Sequence, residues 1–318
     1  MSVQRQRVDR VNQVKGNPRV FTYVVLILCC VYFLLPVWWL VVASTKTNGG
    51  LFNGAHGSMW FDSTFALWDN LRQLGTYQDG IYWRWILNSF MYALVGGLAS
   101  TVVSVMAGYG FAKYRFRGKR LYFNIVLGAL MIPATALVIP TFLLMSRVNM
   151  TDTYWAVLLP LLLNPFGVYL MRVYCSESLP DEMIEAARVD GAGEFRTFLT
   201  VSLPIMTPAI TTVLLLSVVG AWNNFFLPSV VLTNPNLFPI TVGLSQWQVR
   251  SSAGSASEQI WNLLTSGAFV SVIPMLLAFI FLQRYWVGGV DRRVRQGLTD
   301  CSMAAKPPIP SALSTADR

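Results

Sequence analysis

The residues of this chain best placed to do chemistry on another molecule lie in one charged run. It reads Glu185-Ala186-Ala187-Arg188-Val189-Asp190-Gly191, with Leu203-Pro204 further on. Two carboxylates and a guanidinium around small residues offer charged hydrogen bonds to a docked surface. That is the chemistry of protein recognition rather than of catalysis. The rest of the chain supports the distinction. No Gly-x4-Gly-Lys-Ser/Thr run exists to cradle a phosphate. No nucleophile elbow, paired-carboxylate cleft or metal-type spacing is present. His56 is the only histidine, and Cys29, Cys30, Cys175 and Cys301 read as packing residues rather than a disulfide framework. The sequence therefore predicts no cofactor, no bound metal and no enzyme.

The elements that must position the run can be read outward from it. Leu179-Pro180-Asp181-Glu182 starts a helix: proline suits the first turn, and the acids suit the positive end of the dipole. Glu185, Ala186 and Ala187 are good helix formers, and Arg188 falls near the negative end. Met183, Ile184 and Ala187 have the spacing of one apolar stripe. Gly191 and Gly193 offer the left-handed geometry that ends a helix. A second helical stretch, Glu194–Leu203, then leads through Pro204 to an apolar span. By physics alone, the product is a short amphipathic helix with a tight turn, and an incidental surface helix fits as well as a docking element.

The composition says where such a helix sits. The chain is 54% hydrophobic and 12% charged, against about 25% charged for an ordinary soluble domain. Its apolar surface needs lipid as a second solvent. The net charge of +9 does not point to nucleic acid, because the basic residues cluster beside apolar spans. A crossing helix needs about 20 mainly apolar residues, and six spans meet that need. They are Val20–Ala43, Trp85–Ala112, Leu121–Ser146, Thr153–Met171, one near Ile205–Leu232, and one within Gln259–Gln283. The first is too long for a signal-peptide core and no small-x-small site follows it, so it reads as a retained helix.

Lys and Arg in the flanks set the orientation. Arg5, Arg7, Arg10, Lys15 and Arg19 precede the first span. Lys113, Arg115, Arg117, Lys119 and Arg120 join the second and third. Arg284, Arg292, Arg293 and Arg295 follow the sixth. The other connections have few cations balanced by acids. Both termini and the Glu185 run are predicted to be cytoplasmic. The chain then divides into a basic cytoplasmic tail (1–19), a transmembrane domain (20–290) with the charged segment 177–204, and a cytoplasmic tail (291–318). Pro307, Pro308 and Pro310 among Ser and Ala predict disorder in the last tail. Prolines inside the spans, such as Pro36, Pro133, Pro140 and Pro208, predict kinks repaired by neighbouring groups.

The spacing of the charged run is itself informative. Glu185-Ala186-Ala187, Gly191, Val201 and Leu203-Pro204 are similar to the signature of the membrane subunits of bacterial binding-protein-dependent ABC importers. Val201 stands where isoleucine is commoner. The resemblance extends over most of residues 20–290. Trp85-Ile86-Leu87-Asn88-Ser89-Phe90 and Gly108-Tyr109-Gly110-Phe111-Ala112-Lys113 resemble the two ends of the second span in carbohydrate-type permeases. Met131-Ile132-Pro133, Ile139-Pro140 and Thr153-Tyr154 resemble the third span and its following turn. Trp222-Asn223-Asn224-Phe225 resembles a Trp-Asn-Glu/Asp-Phe pattern, with Asn224 in place of the acid.

The six-span length is similar to the MalG-like partner of the maltose-type permease pair. The resemblance implies an all-α type I ABC importer transmembrane fold and a role in ATP-driven uptake of a sugar or oligosaccharide. It makes Glu185, Ala186, Ala187, Asp190, Gly191, Leu203 and Pro204 the residues of a coupling helix that seats in a separate ATPase subunit. The partners implied are a second permease, ABC ATPase subunits and an extracytoplasmic sugar-binding protein, all in or at the lipid bilayer.

Amides and aromatics suit sugar hydroxyls and rings. Asn88 and Tyr92 lie one turn apart, and Trp222, Asn223 and Asn224 cluster. They serve either as pathway lining or as hydrogen-bonded glue between helices. Two other function classes stay open on the sequence: an ion-coupled carrier, and a membrane scaffold without transport. The spans lack acids and lysines, which counts against a proton-coupled carrier.

Overall fold

A computed structural model describes residues 18–53, 59–253 and 259–281. Residues 1–17 of the first tail, the whole of the last tail, His56, Cys301 and the arginines after the sixth span lie outside them. Among the described residues every regular element is helical. In chain order these are α1 (Pro18–Ser44), α2 (Asn48–Asn53), α3 (Leu67–Thr76), α4 (Ile81–Met91), α5 (Gly97–Lys113), α6 (Lys119–Leu130), α7 (Val138–Arg147), α8 (Tyr154–Leu161), α9 (Pro165–Ser178), α10 (Asp181–Val189), α11 (Glu194–Thr197), α12 (Leu203–Trp222), α13 (Phe226–Val231), α14 (Ile240–Ala253) and α15 (Trp261–Phe281). Five helical runs are long and apolar enough to cross a membrane, or six if one bent pair counts as a span.

Several expected boundaries move, each for a local reason. The third span is not one helix. Its halves, Lys119–Leu130 and Ala134–Arg147, are bent by 101°. Pro133 has no N–H to give and cannot tolerate a helical carbonyl four residues back, so the helix stops before it. The fourth span breaks at Leu162–Asn164 and runs on to Ser178 rather than Met171. Asn164 starts its second half, accepting a 2.9 Å bond from Gly167 N with Pro165 as the next residue.

The fifth span ends at Trp222 and not near Leu232. In the other direction it is continuous with α11, as one run from Glu194 to Trp222. A wider, π-helical stretch at Phe198–Ser202 makes the join. It loosens the backbone where Pro204 and Pro208 cannot donate. The polar connection before the sixth span contains the helix α14, whose Trp247 is buried against Trp85 and Tyr82.

The chain forms two compact units. The first comprises residues up to Leu74 with Arg250–Phe269. α1 presents an exposed apolar surface from Val20 to Val37, a demand that lipid meets. Its end leaves carbonyls without helical partners. Asn70 supplies them, its Nδ2 donating to Ser44 O and Lys46 O at 3.0 Å each. Asn262 Nδ2 donates in turn to Asn70 Oδ1 at 2.8 Å, and Ser266 Oγ to Ser44 O at 3.1 Å. Lys46 is fully buried, with Asp62 3.9 Å away.

The second unit comprises Gly75–Val249 and the residues from Val270. Its centre is a bundle of α5, α9 and α12. Val105 and Tyr109, Met171 and Cys175, and Met206, Ala209 and Val213 form one buried cluster. In lipid such helices gain little from hydrophobic burial and depend on close packing past small residues. α5 shows this twice. A Cβ on Gly97 would lie 3.1 Å from Val218 N, and one on Gly108 2.9 Å from Arg172 N.

Candidate functional site

The charged run folds as α10, entered from Pro180 in extended geometry, with Asp181 and Glu182 in its first turn and Arg188 in its last. Gly191 has φ +79°, the left-handed region that a side chain resists. Its N–H reaches Arg188 O at 3.0 Å, and Ala192 N reaches Ala187 O at 2.9 Å. This pair of bonds is the Schellman ending. Gly193 does not share the left-handed geometry. Its φ is −67° and it opens α11 in extended form, because one left-handed residue already reverses the chain.

The inner face of α10 is narrower than a three-residue stripe. Ile184 and Ala187 are buried at 4% and 8% exposure, whereas Met183 is 44% exposed. Adjacent helical residues point about 100° apart, so a helix resting along one line selects Ile184 over Met183. Ile184 belongs to the same buried cluster as Val105, Met171 and Met206, and Leu203 packs against that cluster. α10 is thereby keyed into the meeting point of three long helices.

The opposite face is free. Glu185, Ala186, Val189 (87%) and Asp190 are exposed, and on the helices that follow so are Phe195 (71%) and Pro204. Exposed apolar side chains among charges are the make-up of a surface that receives a partner.

Polar contacts hold the segment at both ends. Lys113, the last residue of α5, pairs with Asp181 at 2.6 Å and also donates to Leu179 O. Arg188 grips Glu194 with two bonds, Nε to Oε1 at 2.7 Å and a terminal nitrogen to Oε2 at 3.1 Å. Tyr114 Oη donates to Glu194 Oε2 at 3.0 Å. These bonds set the ionisation of their members. The Lys113 ammonium holds Asp181 below the usual carboxylate range, and Arg188, then Tyr114, hold Glu194 below it. Burial and the Glu194 contact push the Tyr114 phenol up to about 12. Lys113, Tyr114 and Glu194 escape a sequence reading of this site. Their partners are distant in the chain, and only Arg188 with Glu194, bracketing a glycine turn, left a local trace.

The amide and aromatic candidates fall into two groups. Asn88 is buried, its Nδ2 donating to Asn236 O at 2.8 Å and Phe238 O at 3.0 Å. Tyr92 Oη donates to Leu237 O at 3.0 Å. Ser89 Oγ accepts from Ile240 N at 2.7 Å, and Trp85 Nε1 donates to Pro235 O at 2.9 Å. One face of α4, with Tyr92 just beyond its end, thus fastens the turn that precedes α14. Trp222 is buried against Phe90 with ring centroids 5.0 Å apart. Asn223 is exposed and bonds back to Val219 O, while Asn224 O accepts from Thr241. The structure does not bring Asn223 and Asn88 into one constellation through any such bond.

Known proteins share this architecture. Residues 100–296 match the family model of the binding-protein-dependent transport system inner membrane component. The chain is 34% identical over 257 residues to the arabinooligosaccharides transport system permease protein AraQ of Halalkalibacterium halodurans, covering 81% of this chain and 89% of that one. It is 30% identical over 275 residues to the lactose transport system permease protein LacG of Rhizobium radiobacter, covering 86% and 95%. A solved bacterial ABC transporter involved in the import of the acidic polysaccharide alginate contains a chain of the same fold. Its TM-score is 0.74 at 23% identity, over 88% of this chain and 98% of that one. Membership of the family implies an ATPase, a substrate-binding protein and another permease as partners. With the Glu185–Pro204 segment, the apolar helices and these likenesses together, the chain belongs to the family of binding-protein-dependent transport system inner membrane components, as a multi-pass permease subunit of an ABC importer.

Proposed function

We propose that this chain is one half of a heterodimeric permease that carries a sugar or oligosaccharide into the cell. It takes its driving stroke through the exposed face of α10 from a separate ATPase. An extracytoplasmic binding protein supplies the substrate. The carbohydrate assignment follows the named substrates of AraQ and LacG. Both termini lie in the cytoplasm in this reading, with residues 1–19 and 291–318 as tails of a transmembrane domain at 20–290. The Lys/Arg-rich connection Lys113–Arg120 stands at the same end of α5 as α10, which supports a cytoplasmic α10.

The observation that carries the reading is the placement of Ile184. A partner pushing on Glu185, Ala186 or Val189 acts on a helix whose other side lies in the cluster joining α5, α9 and α12. Movement of α10 therefore reaches the spans through packed side chains, not through a slack loop. Glu185, Ala186, Ala187, Asp190, Gly191, Leu203 and Pro204 are the residues assigned to coupling.

The test is a bulky side chain on the outer face. Ala186 is exposed, so Ala186→Trp leaves the fold intact. At normal membrane abundance it is expected to abolish uptake and substrate-stimulated ATP hydrolysis by the assembled transporter. Wild-type uptake with that substitution would refute the coupling role. An ion-coupled carrier would transport without ATP, and a scaffold would not lose transport with α10.

A further inference from the structure

Between α6 and α9 lies a cleft of about 500 Å³, lined by Lys119, Arg120, Phe123, Asn124, Leu127 and Arg172. It holds three cations and no acid. Two of the cations here are already engaged. Lys113 is paired with Asp181, and Lys119 itself donates to Tyr114 O at 2.9 Å, closing the end of α5. Arg120 and Arg172 have no carboxylate partner among the described residues. Arg172 sets its guanidinium carbon over Phe123, 3.8 Å from the ring centroid, and its buried Nε has no hydrogen-bond acceptor among the described residues. A buried N–H of a charged group without an acceptor calls for explanation. α6 also begins without an acid in its first turn, so the positive end of its dipole adds to the cations.

The order of the lining residues limits the ligand. Lys119 and Arg120 are followed one turn on by Phe123 and Asn124, and two turns on by Leu127. Over roughly 12 Å of helix the wall changes from cationic to apolar. Phe111 packs edge-on against Phe123, with ring centroids 5.6 Å apart. The other faces of α6 expose Leu121, Tyr122 and Ile125, as a helix in lipid does. A free inorganic anion would use the cations and leave Leu127 idle, Phe123 being already buried under Arg172. An acidic side chain of a protein would do the same. An amphiphile with an anionic head uses both ends.

We propose that this cleft binds one anionic phospholipid, its phosphodiester between Arg120 and Arg172 and its acyl chain along Leu127. The site goes beyond the transport reading and needs no assumption about the substrate. Anionic headgroups gather where basic pockets open at a membrane surface.

The experiment uses the full transporter, purified with its partner subunits, stripped of lipid, and offered equal phosphatidylglycerol and phosphatidylcholine. Native mass spectrometry counts the lipid retained. The wild type is expected to retain phosphatidylglycerol about tenfold over phosphatidylcholine, a preference two cations can supply. Arg172→Gln should lose it, and Arg172→Lys should keep part of it. Because Arg172 also packs on Phe123, the exposed Arg120→Gln is the safer variant, and it should reduce retention several-fold with assembly intact. Equal retention of the two lipids, or unchanged retention in Arg120→Gln, overturns the proposal. So does complete displacement by inorganic phosphate alone, which would mark a free-anion site. Loss of the ATPase from Arg120→Gln with lipid retention unchanged would mark a protein contact and overturn it equally.

Discussion

Arg188 and Glu194 face each other across the left-handed turn at Gly191, joined by two bonds of 2.7 and 3.1 Å. Glu194 also receives the Tyr114 hydroxyl from beyond the end of α5. The turn is thereby closed from both sides. The coupling role proposed for α10 would need such a closed base, since a free turn would absorb the motion by rotating its own backbone.

Gly191→Val tests the turn. A Cβ there meets nothing within 4 Å, so the penalty is conformational and not a clash. A non-glycine residue at this φ costs about 1–2 kcal/mol, and a β-branched one sits at the upper end. The expected result is normal insertion with a large loss of uptake, and faster hydrogen exchange at Ala192. Gly191→Asn, which tolerates the left-handed region better, should retain more uptake than valine. Equal uptake in the two variants would show that the backbone geometry is unimportant.

The acid response of the segment follows from Asp181 and Glu194. Both carboxylates are held below their ordinary values by a cation, Lys113 in one case and Arg188 in the other. A depressed carboxylate stabilises the folded form fully above its unfolded pKa, near 4. That contribution fades as pH falls through the lower folded value. Both groups are solvent-exposed, so the effect is modest. Exchange at Ala192, corrected for its intrinsic pH dependence, should be flat from about pH 8 to 5 and rise only below about pH 4. Glu194→Gln should raise exchange at neutral pH and flatten the acid limb.

In the first unit, Asn262 donates to Asn70, which in turn closes the open end of α1. Asn262→Leu would leave the buried Asn70 Oδ1 without a donor. An unsatisfied buried group costs about 1–3 kcal/mol. The purified protein should melt several degrees lower, while Gln259→Ala, which removes no donor to Asn70, should be nearly silent. An unchanged melting temperature for Asn262→Leu would remove this network from the stability of the unit.

What could be read from the sequence here is what is local. The need for a left-handed residue at Gly191 is set by a helix that must end and a chain that must reverse, and both lie within a few residues. Pro133 announces a break in the third span, but the 101° bend also depends on what the two halves pack against. The amide of Asn88 demanded partners and did not name them: they lie almost 150 residues away, on the turn Pro235–Phe238. The continuity of α11 with α12 was hidden for a different reason. Pro204 reads as the divide between the stretch Glu194–Leu203 and the span, and a π-helical stretch before it carries one helix through. Met183 looked apolar enough for the inner face, and the narrow line of contact chose Ile184.

The bonds of Asn88 favour helix glue over pathway lining as its role. Its Nδ2 satisfies two carbonyls, and its Oδ1 accepts from Tyr154 Oη at 3.2 Å. A side chain with both ends engaged has little left to offer a sugar. Asn88→Leu should therefore act on stability: Phe238 O loses its buried side-chain donor, at about 1–3 kcal/mol, while Asn236 O keeps the Arg84 Nε bond at 3.3 Å. The expected signature is a lower melting temperature and lower membrane abundance, with an unchanged KM for uptake per transporter molecule. Asn223→Leu is the contrasting case. Its side chain is exposed and returns only to Val219 on its own helix, so its loss should spare stability. A raised KM in Asn88→Leu at normal melting temperature would reverse the assignment and place Asn88 on the substrate path.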